Sequence, residues 1–136
     1  MSEVKEIWQE KDYWLGLDPY EFESEIAKLF QAYGYETNIP TENGDSGIDI
    51  TMYRNGKTTI VQLRHSPNPV PPEPIRALWG CKDDFNADEV ILVASSGITE
   101  NGSQFIESRE NFRVLTLDDI ILMSRQIVLD RNSNNY

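Results

Sequence analysis

Cysteine is almost missing from this chain. Cys81 is the only one among 136 residues, which excludes an internal disulfide and a cysteine-built zinc site. It lies in an apolar stretch and reads as a small core residue rather than a nucleophile. No apolar run approaches the roughly 18 residues that a membrane span requires. Met1 to Lys11 is acidic and carries no apolar signal segment, so cytoplasm is the expected compartment and no membrane is expected as a partner. Positive charge is scarce too, with 12 Lys and Arg against 23 Asp and Glu and a net charge of −11. Phosphate binding draws on cations, so the overall balance speaks against a nucleic-acid partner.

The distribution of charge weakens that objection. Between Thr51 and Lys82 the bases Arg54, Lys57, Arg64, Arg76 and Lys82 are set against one acid, Glu73. Two readings follow: chance on a solvated acidic body, or a local basic patch able to meet phosphates. The length, with 39% hydrophobic and 26% charged residues, fits one soluble domain with its own core.

Along the chain, residues 1–17 hold Trp8, Tyr13 and Trp14 without a clean period, and read as an N-terminal arm or short helix. A domain over 18–129 follows, then a polar, loose tail over 130–136. Asp18, Pro19 and Glu21 form a helix-start signal. Behind them Phe22, Ile26, Leu29, Phe30 and Tyr33 make an apolar stripe, with Glu21, Glu25 and Lys28 on the expected wet face. Gly34 ends that helix. Tyr35 to Ile39, Ile48 to Tyr53 and Lys57 to Leu63 read as strands, the last two joined at Asn55-Gly56, a strong hairpin signal. A proline-rich loop over 67–74 leads to a second helix bearing Ile75, Leu78, Trp79 and Phe85, with Trp79 expected in the core. Glu89 to Ala94 is a continuous apolar run suited to a central strand covered on both faces. The turn Ser95-Ser96-Gly97, a helix over about 100–109, a strand over 113–117 and a helix over 118–129 complete the pattern. The expected fold class is α/β, a mixed sheet flanked by helices in the order α-β-β-β-α-β-α-β-α.

The hairpin is the chemical centre. With Asn55 and Gly56 at the turn, cross-strand partners have numbers summing to 111, which pairs Tyr53 with Thr58, Thr51 with Ile60, and Asp49 with Gln62. Arg64 continues the face of Gln62 by strand alternation, while Ile48, Ile50, Met52, Val61 and Leu63 form the packing face. A carboxylate beside an amide oxygen, with a cation one step along, suits Mg²⁺ and its preference for hard oxygen ligands. Asp49 would be the anionic ligand, with Gln62 and the Leu63 carbonyl as neutral ones. The plainer reading is a surface hairpin carrying ordinary polar residues. Glu23 sits on the margin of the first helix's apolar stripe, either as an edge residue or as a further acid reaching the metal. Asp45, between two glycines, is either a second carboxylate or a turn residue. His65 follows on the opposite face from Arg64 and reads as structural or as a phosphate contact.

These residues match a known pattern. Phe22-Glu23, Gly34-Tyr35, Asp45-Ser46-Gly47-Ile48-Asp49 and Val61-Gln62-Leu63-Arg64 together resemble the Mrr-type restriction endonuclease domain of the PD-(D/E)XK nuclease superfamily. The later strand Val90 to Ala94, its Ser-Gly turn and Thr99 resemble the family too, so the likeness spans about 18–122. The resemblance implies a restriction-endonuclease-like fold and hydrolysis of DNA phosphodiester bonds with Mg²⁺ or Mn²⁺. It places the metal on Asp49, with Gln62 beside it and Glu23 as a further acid. One position departs: the family's lysine is Arg64 here. Arginine stays protonated, so it cannot act as a base, although it can clamp phosphate or stabilise charge. The alternative is therefore a weakened or inactive nuclease-fold module that binds DNA or a protein partner. Such a module's acidic surface would also suit mimicry of DNA. Cleaving both strands of a duplex would need two sites, so a homodimer is the expected assembly. The wider set of expected nucleic-acid contacts is Arg54, Lys57, His65, Arg76 and Lys82.

Overall fold

A computed structural model describes residues 3–40 and 47–133. Asp45 and Ser46 of the motif lie outside the described residues. The chain opens with a 3-10 turn, Glu6–Gln9, and a short helix α1, Lys11–Leu15. The longer α2, Pro19–Ala32, starts where the local chemistry requires. The Asp18 carboxylate accepts the Glu21 backbone N–H at 2.7 Å, and the Glu21 carboxylate accepts that of Asp18 at 3.1 Å. This reciprocal cap satisfies two N–H groups that a bare helix end would leave unpaired.

Strands β1 (Glu36–Asn38), β2 (Ile50–Arg54) and β3 (Lys57–Arg64) pair antiparallel in turn. Asn55 and Gly56 both take positive φ, 54° and 76°, as a tight hairpin turn demands. After α3 (Pro72–Gly80), strand β4 (Glu89–Ala94) lies parallel to β3, and β5 (Phe112–Thr116) lies parallel to β4. Helix α4 (Glu100–Glu107) connects the last two strands, and α5 (Leu117–Ser133) closes the described chain. The result is one five-stranded sheet in the order β1-β2-β3-β4-β5. This is the expected mixed α/β architecture.

The sheet is covered on both faces. Trp8, Trp14, Phe22, Ile26, Leu29 and Phe30 join Ile50, Met52, Val61, Ile91, Val93, Leu115 and Ile120 in one core. Ile48, Ile60, Val70, Ile75, Leu78, Val90, Leu92 and Phe112 form the other, beneath α3 and α4. Burying one large apolar side chain contributes about 1.5–3 kcal/mol, so Trp8 and Trp14, both fully buried, bind residues 3–17 to the body.

Four expectations are adjusted. Glu25 does not lie on a wet face: it is buried, and its carboxylate receives Lys5 Nζ at 2.6 Å, Tyr13 O–H at 2.6 Å and Trp8 Nε1–H at 3.0 Å. The N-terminal segment folds over that face and supplies the partners a buried acid needs. Helix α3 ends at Gly80, so Phe85 packs from the turns beyond it rather than along the helix. Helix α5 continues through Ser133, past the Leu129 end expected from the polar tail. Finally, Ile48 packs in the opposite core from Ile50, which bears directly on the site.

Candidate active site

Regular pairing holds from Arg54↔Lys57 to Ile50↔Val61, every pair summing to 111 as the turn position predicts. One residue further on, it breaks. The backbone N–H of Asp49 donates to the carbonyl of Val61 at 2.9 Å, so Asp49 and Ile50 together stand against one residue. That is the signature of a β-bulge, which re-aims a side chain and reverses the faces beyond it. It explains why Ile48 joins the core under α3 although Ile50 joins the one under α2. It also overturns the expected pairing of Asp49 with Gln62. Gly47, with φ 74°, continues the irregularity, and a Cβ there would lie 3.0 Å from the Gln62 amide nitrogen.

Asp49 turns toward the carboxyl end of β3 and the first turn of α2. A cleft of about 290 Å³ there is lined by Pro19, Phe22, Glu23, Asp49, Leu63, Arg64, His65 and Ser66. Ligand sites in open α/β sheets lie at such strand ends. The Asp49 carboxylate accepts the Leu63 backbone N–H at 2.7 Å. Burial raises the pKa of Asp49 above the ordinary carboxylate range, although the Leu63 N–H and the positive charge of Arg64 oppose the shift. Glu23 is raised likewise, first by burial and then by the negative charge of Asp49. Two acids share one cleft, and the charge of Asp49 disfavours the ionisation of Glu23.

Arg64 Nε and His65 Nδ1 are buried in the cleft wall, with no hydrogen-bond partner among the described residues. His65 Nε2 lies 2.9 Å from the Leu17 carbonyl, and its ring stacks on Phe22 with centroids 4.3 Å apart. The loop after β3 is tied to the end of β4: Ser95 Oγ accepts the Ser66 N–H at 3.1 Å, and the Ser96 hydroxyl donates to the Ser66 carbonyl.

The chain matches the model of the Mrr restriction endonuclease catalytic family over residues 15–127. This chain belongs to the Mrr-type restriction endonuclease family. Two solved structures share the fold of this Mrr-type domain. The DNA modification-dependent restriction endonuclease AspBHI superposes with a TM-score of 0.66 at 13% identity, over 98% of this chain and 41% of that one. A protein of unknown function, AF1548, gives a TM-score of 0.64 at 12% identity, over 80% of this chain and 67% of that one. No curated protein sequence matches the chain.

The Mrr-type cleft thus gathers Asp49, Glu23, Leu63, Arg64 and His65 from the expected set. Gln62 does not line it; alternation between Val61 and Leu63, both on the α2 side, sends Gln62 toward the other face. The five-cation segment is dispersed rather than gathered at the cleft. Arg54 donates to the Tyr33 carbonyl at 2.9 Å and lies over the Tyr35 ring, and Lys57 shares its end of the hairpin. That tip stands about 20 Å from Arg64 along β3 at the rise of an extended strand. Arg76 lies near the Phe105 ring and Lys82 near that of Trp79, beside α3. Sequence reasoning quoted Phe22 and the turn at Ser95-Ser96 only as parts of the family pattern, and did not foresee Leu17 on His65 or Ser95 and Ser96 on Ser66. The proximity of Ser95 and Ser96 to Ser66 follows from the parallel pairing that ends at Arg64↔Ala94, and that of Leu17 and Phe22 to His65 from the docking of α2; local sequence carries no signal for either contact.

Proposed function

We propose that this domain is a metal-dependent DNA endonuclease of the Mrr restriction type, and that the cleft of Asp49 and Glu23 is its active site. The observation that carries the reading is the pair of carboxylates with raised pKa values in one concave site of a restriction-endonuclease family member. Partly desolvated acids brought together in a cleft mark a candidate functional site. Among the described residues no three His, Cys, Asp or Glu side chains cluster as a metal cage. Mg²⁺ does not need one, since it commonly binds through one or two carboxylates and keeps waters and substrate phosphate for the rest. The donor set therefore fits Mg²⁺ or Mn²⁺, with Asp49 and Glu23 as anionic ligands and the Leu63 carbonyl as the neutral candidate within the wall. Gln62 lies off the cleft and is not required by this reading.

Such an ion would acidify a water and neutralise phosphate charge. The chain's own residues do the rest. The Leu63 N–H holds the Asp49 carboxylate in one orientation, and Arg64 supplies fixed positive charge where a phosphate would enter. Two copies of the domain would serve the two strands of a duplex. Cytoplasm, where DNA is available, is the compartment this reading expects.

A second reading rests on Arg64 itself, which stands where the family has lysine. It makes the domain a slowed or silent nuclease fold that binds DNA or a protein partner. Incubation with duplex, branched and methylated DNA plus Mg²⁺ or Mn²⁺ separates the two. The first reading expects cleavage that disappears in Asp49→Ala. Cleavage that survives that substitution would remove the assignment, and metal-independent binding without cleavage would establish the second reading.

A further inference from the structure

His65 is the only histidine of the chain, and it follows the last residue of β3. Its ring touches three parts of the site at once. Nε2 meets the Leu17 carbonyl at 2.9 Å, the face lies on Phe22 at an interplanar angle of 7°, and Nδ1 is buried in the cleft wall. A carbonyl only accepts, so Nε2 carries the proton in this contact. The stacked pair adjoins the site on both sides: Phe22 precedes Glu23, and His65 follows Arg64.

Among the described residues no other side-chain hydrogen bond or ion pair joins residues 17–23 to residues 61–66. At its far end α2 is tied to the sheet by Gln31 on Thr37 and by Arg54 on the Tyr33 carbonyl, and between these ends it is held by apolar contact, which is non-directional. At the end of α2 that carries Glu23, the directional side-chain contact with the end of β3 among the described residues is therefore that of His65 with Leu17. Leu17 is itself anchored from behind. The segment before it is held by Lys5, Trp8 and Tyr13 on Glu25, and the Leu17 N–H donates to the Trp14 carbonyl at 3.3 Å.

We infer that His65 is a positioning residue: its imidazole is the strut that sets α2, and with it Glu23, against the end of β3 that carries Leu63 and Arg64. The inference rests on the nuclease reading of the cleft. His65 touches no reacting atom in this role. It acts through Glu23, and displacing a reactive group by about 1 Å is enough to cost about 100-fold in rate.

Two substitutions separate the ring's functions. His65→Phe keeps the stack on Phe22 and removes the donor to Leu17, whereas His65→Gln restores a donor without the aromatic face. Cleavage of duplex DNA with Mn²⁺, Mn²⁺ affinity by calorimetry and thermal unfolding are measured for both. The expected result for His65→Phe is a kcat lower by about tenfold or more, weaker Mn²⁺ binding and a nearly unchanged KM for DNA. His65→Gln should recover most of the Mn²⁺ affinity. Wild-type kcat and Mn²⁺ affinity in His65→Phe would overturn the strut while leaving the nuclease reading intact. Loss of both cleavage and Mn²⁺ binding in the wild type would remove the nuclease reading and the strut with it. If His65→Phe does not fold, ¹⁵N spectra of the wild type decide, because the lone imidazole gives unambiguous signals. A proton on Nε2 supports the strut, and a bare Nε2 overturns it.

Discussion

The carboxylate of Asp49 accepts the backbone N–H of Leu63 at 2.7 Å, so a side chain takes a strand donor just where the regular β2–β3 pairing ends. The bulge at Asp49 and Ile50 makes this contact available, and the contact fixes the carboxylate at the mouth of the cleft. One residue therefore closes the end of the β2–β3 ladder and offers a carboxylate to the site.

Substitutions at this position should separate structure from chemistry. Asp49→Asn retains an oxygen acceptor for Leu63 and is expected to unfold within about 1 kcal/mol of the wild type in urea. Asp49→Ala leaves the N–H unpaired and should cost about 1–3 kcal/mol. Both should lose DNA cleavage with Mg²⁺ or Mn²⁺. Equal stability of the two variants would show that the contact contributes little.

The paired acids predict a dependence on pH and metal. Asp49 and Glu23 have folded pKa values raised above the ordinary range. The stability they contribute is complete below the unfolded carboxylate pKa and is lost as pH rises through the folded values. Glu23→Gln should therefore melt higher than the wild type in EDTA at pH 7, with the gap closing near pH 4. Adding Mg²⁺ should close it as well, by stabilising the wild type alone. A lower melting temperature for Glu23→Gln in EDTA at neutral pH would contradict this.

The Glu25 cluster has the opposite sign. Burial raises its pKa, but the hydrogen bonds from Lys5, Tyr13 and Trp8 outweigh burial and leave it lowered. That stabilisation is present above the unfolded carboxylate pKa and is lost as pH falls through the lowered folded value. At the alkaline end, Tyr13 is raised from 10.0 to about 12 by burial and by its bond to Glu25. Lys5 is raised too, chiefly by its own bond to Glu25. Their share is present below the unfolded values and lost as pH rises through the folded ones. Glu25→Ala should cost on the order of 3 kcal/mol and flatten both limbs of a denaturation profile against pH. A surface-like cost below about 0.5 kcal/mol would refute the latch.

Arg64→Lys tests the departure from the family pattern. Lysine is a compact charge whose proton can be exchanged, whereas arginine is a fixed cation. The variant is expected to cleave about tenfold faster or more, with DNA affinity little changed. A rate at or below the wild type in steady-state assays would show that the guanidinium is the better fit here.

Much of this protein was legible in its residues because the signals were local. The Asp18–Glu21 cap, the Asn55-Gly56 turn and the pairs summing to 111 depend on neighbours a few positions apart, and all three appear in the structure. The apolar run over Glu89–Ala94 identified a strand covered on both faces for the same reason. The hairpin's polar face and the margin of the first helix's stripe singled out Asp49, Arg64 and Glu23, which the fold does bring to one cleft. Glu25 was misplaced because its helical position is polar by pattern, and only the returning N-terminal segment buries it.

The hairpin's sequence alone determined its turn and its register from Arg54↔Lys57 to Ile50↔Val61. It did not determine which face Asp49 presents. Alternation assumes an unbroken ladder, and one extra residue against Val61 reverses every face beyond it. The tertiary structure decided that reversal, since Ile48 is buried under α3 while Asp49 and Ile50 stay on the side of α2. It also decided that Asp49 shares a cleft with Glu23 and bonds the backbone of Leu63 rather than standing opposite Gln62, because that arrangement depends on how α2 docks across the strand ends.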